Sequence, residues 1–547
     1  MADKKPGDIA QQVIREFGRV AGERGTWESH WEEIALRVLP SHAGYFTSRG
    51  ELRVQGEKKT EQLFDSTASV ALKRFSAILD SLLTPRNQTW HRLMASDSNL
   101  NKDRQVRLWF DEVNRILFKF RYAPKANFSS QNQQNWISLG AFGTGAVFTD
   151  ALAGEPGIRY RACHLAEVYF VENHQGIIDK AYRHFPLSAR QAAQKWGEDK
   201  LPDHIRSALS VNPDRMFRFI HCVKPRGDMD PEKLDHKGMP FASYYVAKDG
   251  MALLSEGGYM TFPYAISRYE QAPGETYGRG PAMDVLPAIK TLNEEKKTIL
   301  KQGHRAVDPV LLTHDDGIVD TFSLKPGAIN AGGVSADGRP LVHALPIGNL
   351  AIGKEMMDDE RSVINDAFLV TLFQILMETP QMTATEIMER TREKGILLAP
   401  TVGRQQSEYL GPLVEREIDV LMMQGLLPPM PPALMEAKGE YRVEYDSPLS
   451  RAQRAEEASG LMRTIETTLQ VVNVTQDHAP LDHFDWDTII PEMSDIQGVP
   501  ARWMRSIEDV QRMRAAREQQ NQQQTMIQAA PGAAAMVKAA AVAQKGQ

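Results

Sequence analysis

Only two cysteines, Cys163 and Cys222, stand in 547 residues. That is too few to staple a chain of this length, and their spacing fits no thiolate metal site. A reduced, cytosolic folding environment is the expectation. No stretch approaches the roughly eighteen apolar residues that a membrane span needs. The opening MADKKPGDIAQQVIREFGRV also lacks the uninterrupted apolar run of a secretion signal. We therefore expect neither export by a signal peptide nor residence in a membrane. Basic excess is missing too. Lys and Arg number 64 against 70 Asp and Glu, a formal charge of −6, which excludes a protein that grips nucleic acid over its whole surface. The phosphate-binding G-x-x-x-x-G-K-[ST] loop, H-E-x-x-H, G-x-S-x-G and a complete EF-hand loop are all absent. The common enzyme classes lose their usual signatures.

What remains is an ordinary globular composition, 42% hydrophobic and 24% charged. The length suggests about three or four modules, each able to bury a core. Residues 8–39 carry Ile9, Val13, Phe17, Val20, Trp27, Trp31, Ile34 and Val38 at helical spacing, interrupted at Gly22 and Gly25 and stopped by Pro40. A helix pair or a kinked helix follows. Further helices are expected over 60–83 and 103–122. From about residue 140 the texture turns to β-branched and aromatic runs punctuated by Gly, Pro and Asn, with a short helical interruption between Pro186 and Trp196. An α+β module over 1–277 is the economical reading. Two long helices, roughly 282–302 and 349–376, flank a Gly- and Asp-rich segment with short β runs. A third helical pattern from about Ala384 to Gln424 is bent or broken near Gly395, Pro400 and Gly411-Pro412 and ends at LLPPMPP. The tail from about 519 is low-complexity Gln and Ala, short of core residues.

Few residues suggest chemistry. Gly140, Gly143 and Gly145 in LGAFGTGAVF resemble a phosphate loop. A strand follows them, however, where a nucleotide site needs a helix N-terminus, so they read as a tight turn. Asp482, Asp485 and Asp487 beside His483 could ligate a hard cation, but a solvated loop is the simpler reading. Asp315 and Asp316 beside His314 read as a turn. His164, His221 and His304 read as satisfied polar residues rather than ligands.

Charge on the two long helices says more. Lys290, Lys296, Lys297, Lys301 and Arg305 outnumber Glu294 and Glu295 on the first. Glu355, Asp358, Asp359 and Glu360 outnumber Lys354 and Arg361 on the second. Either these charges pair within an antiparallel hairpin, or they meet a repeated neighbour in a ring.

Six ordered segments resemble one family. They are FDSTASVALKRFSAILDSLLTPRNQTWHRL at 64–93, ISLGAFGTGAVF at 137–148, YGRGPAMDVLPAIKTLNE at 277–294, QMTATEIMERTREKG at 381–395, LLAPTVGRQQSEYLGPLVEREIDVLMMQGLLPPMP at 397–431 and VEYDSPLSRAQRAEE at 443–457. Their joint order is similar to that of the portal, or head-to-tail connector, proteins of short-tailed bacteriophages.

The resemblance implies an α+β, helix-rich portal fold assembled as a ring, usually of twelve subunits, with a central channel. It assigns the wing to 1–277 with 385–440, the stem to 278–303 and 348–376, and the clip to 304–347. The crown follows from 441 to 518, ahead of the Gln/Ala tail at 519–547. A tunnel loop at 377–384 would bring Glu378, Thr379, Pro380, Gln381, Met382 and Thr383 nearest the DNA. Lys290, Lys296, Lys297, Lys301, Glu355, Asp358, Asp359 and Arg361 would serve stem packing or the channel wall. Implied partners are double-stranded DNA, the terminase large subunit, tail adaptor proteins, and the major capsid and scaffolding proteins. No cofactor, metal, membrane or catalytic residue is implied, and the destination is the virion after synthesis in host cytoplasm. Twelve copies at −6 each would carry about −72, which favours a weakly repelling passage over a continuous basic groove. The competing expectation is a metal-dependent nucleic-acid-processing enzyme using Asp482, Asp485 and Asp487.

Overall fold

The computed structural model describes residues 6–47, 56–313, 323–346, 350–372, 398–437, 439–445, 448–477, 479–496, 499, 503–505 and 509–521. The chain forms two compact units, one from 1–88 with 119–426 and one from 89–118 with 427–547.

In the first unit the N-terminal periodicity gives α1 (Pro6–Glu23) and α2 (Gly25–Val38), broken at Arg24 where the glycine-flanked sequence allows it. α3 (Thr67–Leu83) begins later than its sequence pattern suggests. Asp65 Oδ1 accepts the Thr67 N–H at 2.8 Å, and this local turn competes with helix upstream. The second unit holds β1 (His91–Ala95) and most of α4 (Arg104–Arg121), whose last residues return to the first unit. α5 (Phe128–Phe142) then lies against α3 so closely that a Cβ on Gly140 would sit 2.7 Å from Leu72 and Phe75.

The β texture becomes two antiparallel sheets. β2 (Thr144–Ala151) lies between β3 (Ile158–Ala162) and the later β9 (Tyr264–Arg268). The other sheet runs in simple order through β4 (Val168–Glu172), β5 (Ile178–Ser188), β6 (Met216–Pro225), β7 (Phe241–Ala247) and β8 (Ala252–Tyr259). The helical interruption between β5 and β6 is α6 (Ala189–Trp196), opened by a capping box between Ser188 and Gln191, followed by α7 (Asp203–Val211). α1 lays Val13, Phe17 and Val20 on Tyr169, Tyr182, Ile220 and Val246, with the Phe17 and Tyr169 rings edge to face at 5.0 Å. That apolar stripe explains why the first helix packs on the larger sheet.

Of the three glycines expected to form a tight turn only Gly143 does so; Gly140 lies in the last turn of α5 and Gly145 in β2. Gly143 ends α5 at φ +70°, and a Cβ there would meet the Gly278 carbonyl oxygen at 2.3 Å. His221 is a satisfied core residue, bonded to the Tyr264 hydroxyl at 2.8 Å and Ser243 Oγ at 3.0 Å and stacked on Tyr245. His164 Nδ1 accepts the Ala166 N–H.

Residues 89–118 lie inside the α+β module read over 1–277, yet they belong to the second unit. β1 pairs antiparallel with β12 (Tyr441–Tyr445), His91 opposite Tyr445, so residues 89–118 fold with the C-terminal region. Within that unit Trp109 Nε1 donates to the Pro428 carbonyl at 3.1 Å. Strand partners more than 340 residues apart leave no local trace in a sequence.

Candidate functional site: a helical hairpin and its outward charges

A short helix, α8 (Pro281–Asp284), leads into α9 (Leu286–Val307), whose 22 residues extend about 33 Å. Pro287 enters α9 where a missing N–H costs nothing. Leu286, Ile289 and Leu292 are buried at its base. The chain turns through β10 (Leu311–Thr313) and β11 (Val342–Ala344), antiparallel partners with Leu312 opposite His343, and returns as α10 (Leu350–Ala367). Met357 and Ile364 are buried along α10, and Phe368 just beyond it meets Phe75 edge to face at 6.1 Å. Gly353 sets the closest approach of the two helices, since a Cβ there would lie 2.7 Å from Ile299 Cδ1.

The hairpin is tied to the body by groups that sequence reading did not single out. Lys290 Nζ donates to Glu33 on α2 at 2.7 Å, and that hydrogen bond holds the Glu33 carboxyl below its usual range. Arg361 reaches Asp65 at 2.8 Å and Asp358 at 2.9 Å. Burial works against the Asp65 charge, but the bonds from Thr67 and Arg361 outweigh it and lower its pKa. The Asp-Ser-Thr step before α3 was a legible signal for Asp65; Glu33 gave none. Asn293 accepts the Phe64 N–H at 2.8 Å and donates to the Gln62 carbonyl at 3.1 Å.

The remaining charges of the hairpin do not pair across it. Among the described residues no ion pair joins α9 to α10. Where the helices face each other the contact is between like charges: burial and Glu360 together push the Glu295 carboxyl up. Lys297 pairs with Glu294, three residues away on its own helix at 3.4 Å, and lies over the Phe64 ring. Lys296 is half-exposed, and Lys301, Glu355 and Asp359 are exposed. Of the eight stem residues expected from sequence, Lys290, Asp358 and Arg361 thus anchor or brace the hairpin, and the other five leave their charge on its outside. Glu378, Thr379, Pro380, Gln381, Met382 and Thr383 lie outside the described residues, as do His314, Asp315 and Asp316.

Residues 398–405 are helical and lead through a π turn at Gln406–Leu410 into α11 (Gly411–Met423). Pro412 has no N–H for the normal helical bond, and the Gly411 N–H reaches back to the Gln406 carbonyl instead. Arg268 holds this turn through Glu408 at 2.8 Å, and Tyr409 donates to Asn132 Oδ1 at 2.8 Å. α11 is fixed by buried charge: Glu417 accepts from Arg121 and Tyr160, and Arg416 bonds the Thr149 carbonyl, Asp150 and Asp419.

Two of the three aspartates of the competing expectation, Asp485 and Asp487, have local partners. Asp485 accepts the Asp487 N–H at 3.1 Å and the Thr488 hydroxyl at 2.7 Å, capping the helix Trp486–Ile496, and Asp487 pairs with Arg514 at 2.6 Å. Among the described residues no group of three or more His, Cys, Asp or Glu is gathered as a metal would need. Nor is any described helix long and apolar enough to cross a membrane.

Residues 10–505 match the family described as bacteriophage head to tail connecting protein. The chain belongs to that family. It is 27% identical over 529 residues to the probable portal protein of Bordetella phage BPP-1, covering 94% of this chain and 93% of that one. It is also 27% identical over 523 residues to the portal protein of Salmonella phage epsilon15, covering 94% and 92%. An alignment to a chain from the virion of a native gene transfer agent particle spans 79% of this connector and 94% of that chain. At 12% identity and a TM-score of 0.36 it bears no weight here. The family match takes in both compact units and the whole α9–α10 hairpin.

Proposed function

We propose that this connector is a portal subunit whose copies close into a ring of about twelve at one vertex of the capsid, where duplex DNA passes through the centre. In this reading α9 and α10 form the stem, and the β10–β11 segment is the clip facing the tail and the packaging motor. Residues 378–383 narrow the channel. The observation that carries the reading is the family match over residues 10–505.

A head-to-tail connector meets capsid components on one side and tail components on the other. The finer partners are the terminase large subunit during packaging, tail adaptors afterwards, and the major capsid and scaffolding proteins during assembly. The subunit is made in the host cytoplasm and ends in the virion.

The work is mechanical. DNA enters and leaves by sliding, and each phosphate held by a cation adds counterion-release affinity that would act as a brake. A chain of net charge −6 suits such a passage. ATP hydrolysis falls to the separate motor, and the subunit needs no cofactor and no catalytic residue of its own. Native mass measurement of the purified chain, together with top views by negative stain, tests the assembly directly.

A further inference from the structure

The hairpin carries opposite charge on opposite sides. On α9, Lys297, Lys301 and Arg305 follow one another at four-residue steps and point away from the face where Ile299 meets Gly353. On α10, the exposed Glu355, Asp359 and Asp366 lie on the face turned away from the buried Met357 and Ile364. One flank between these faces is covered by the chain itself, through Phe64 against Asn293 and Lys297, and Asp65 against Arg361. The other flank is an open groove of about 720 Å³ lined by Thr291, Thr298, Ile299, Ile352 and Met356. Ile352 and Met356 there are 55% and 51% exposed.

We propose that the two charged sides meet between neighbouring copies, the Lys297–Lys301 side of one protomer docking on the Glu355–Asp359 side of the next. This rests on the ring reading above and names the residues that close the ring. The register supports it. Ile299 lies opposite Gly353, so Lys297 and Glu355, each two residues nearer the body, stand at the same height. Lys301 and Asp359 stand one turn above and below that height, about 6 Å away. A lysine of one copy therefore reaches a carboxylate of its neighbour when the ring axis runs along the hairpin.

The charge pattern also selects the symmetry. A two-fold dimer through either side would set lysine against lysine or carboxylate against carboxylate, whereas joining unlike sides gives a head-to-tail contact that repeats until the ring closes. The half-exposed Ile352 and Met356 then gain cover at the edge of the same contact.

The test is a charge-swap cycle on the full chain, with sedimentation velocity at about 0.15 M salt, where exposed charges act over only about 8 Å. Wild type is compared with K297E/K301E, E355K/D359K and the variant carrying all four changes, each checked by circular dichroism for native helix content. Both double variants are expected to lose the ring species, and the fourfold swap to regain it. Should a double variant misfold, Lys297→Glu against Glu355→Lys repeats the cycle singly on the pair that stands at one height. If either double variant assembles like wild type, or the correctly folded swap stays dissociated, this pairing is wrong while the ring reading stands. A wild-type chain that forms no ring overturns both.

Discussion

Glu417 receives the guanidinium of Arg121 through Nε, at 2.9 and 3.2 Å, and through Nη2, with neither side chain exposed to solvent. The Tyr160 hydroxyl donates to the same carboxylate at 2.6 Å. One residue ends α4, one lies on β3 and one on α11, so this buried cluster locks α11 into the body of the first unit. Removing one partner leaves the other as an uncompensated buried charge, which costs about 3–5 kcal/mol. Glu417→Leu should therefore lower stability by about that amount in urea unfolding. Arg121→Met combined with Glu417→Leu should recover much of the loss, because both charges then leave together.

Gly353 and Ile299 define how closely α9 and α10 approach. Gly353→Val drives a side chain into Ile299 Cδ1, 2.7 Å from where the Cβ must stand, and overpacking of this kind costs about 1–3 kcal/mol. Ile299→Ala in the same chain opens the space and should return part of that loss. Thermal melts of the single and double variants measure the coupling.

At the α5–β2 junction the constraint is on the backbone. Gly143→Ala places a side chain at φ +70° against the Gly278 carbonyl, so we expect about 2 kcal/mol or more of destabilisation, read as a lowered melting temperature and reduced soluble yield.

Acid should erode stability in two overlapping windows. Burial, helped by the charges of Lys248 and Arg218, lowers the His184 pKa from 6.5 to about 4. Between those values the unfolded chain binds a proton that the folded chain refuses, so stability falls as the pH drops from about 6.5 to 4. Glu16 acts further down. Burial opposes its charge, but hydrogen bonds from Tyr182 and Gln12 and the charge of Lys224 outweigh that and lower its pKa from 4.5 to about 2. Its stabilisation is complete above 4.5 and is lost as the pH falls toward 2. Urea midpoints measured across the pH range should show His184→Gln flattening the upper window alone and Glu16→Gln flattening the lower one alone.

Sequence periodicity was enough for the elements whose signal is local. The α1–α2 break, the short helical interruption before Trp196, the glycine turn at Gly143 and the two hairpin helices all rest on residues a few positions apart. The residues that anchor the hairpin were not legible in the same way. Glu33 and Asp65 meet Lys290 and Arg361 across more than 250 positions, and the β1–β12 pairing spans more than 340. The charge contrast between α9 and α10 was visible in the sequence, yet its meaning depended on rotation: only the placement of Ile299 against Gly353 reveals that the lysines and carboxylates turn outward instead of toward each other.

The central claim is that copies of this chain encircle a passage for DNA, and counting subunits in one purified assembly by native mass spectrometry tests it most directly. The account predicts a single closed species of about twelve chains with a central hole in stained top views. A preparation that stays monomeric over all concentrations and salt conditions, while retaining its native helix content, would contradict it.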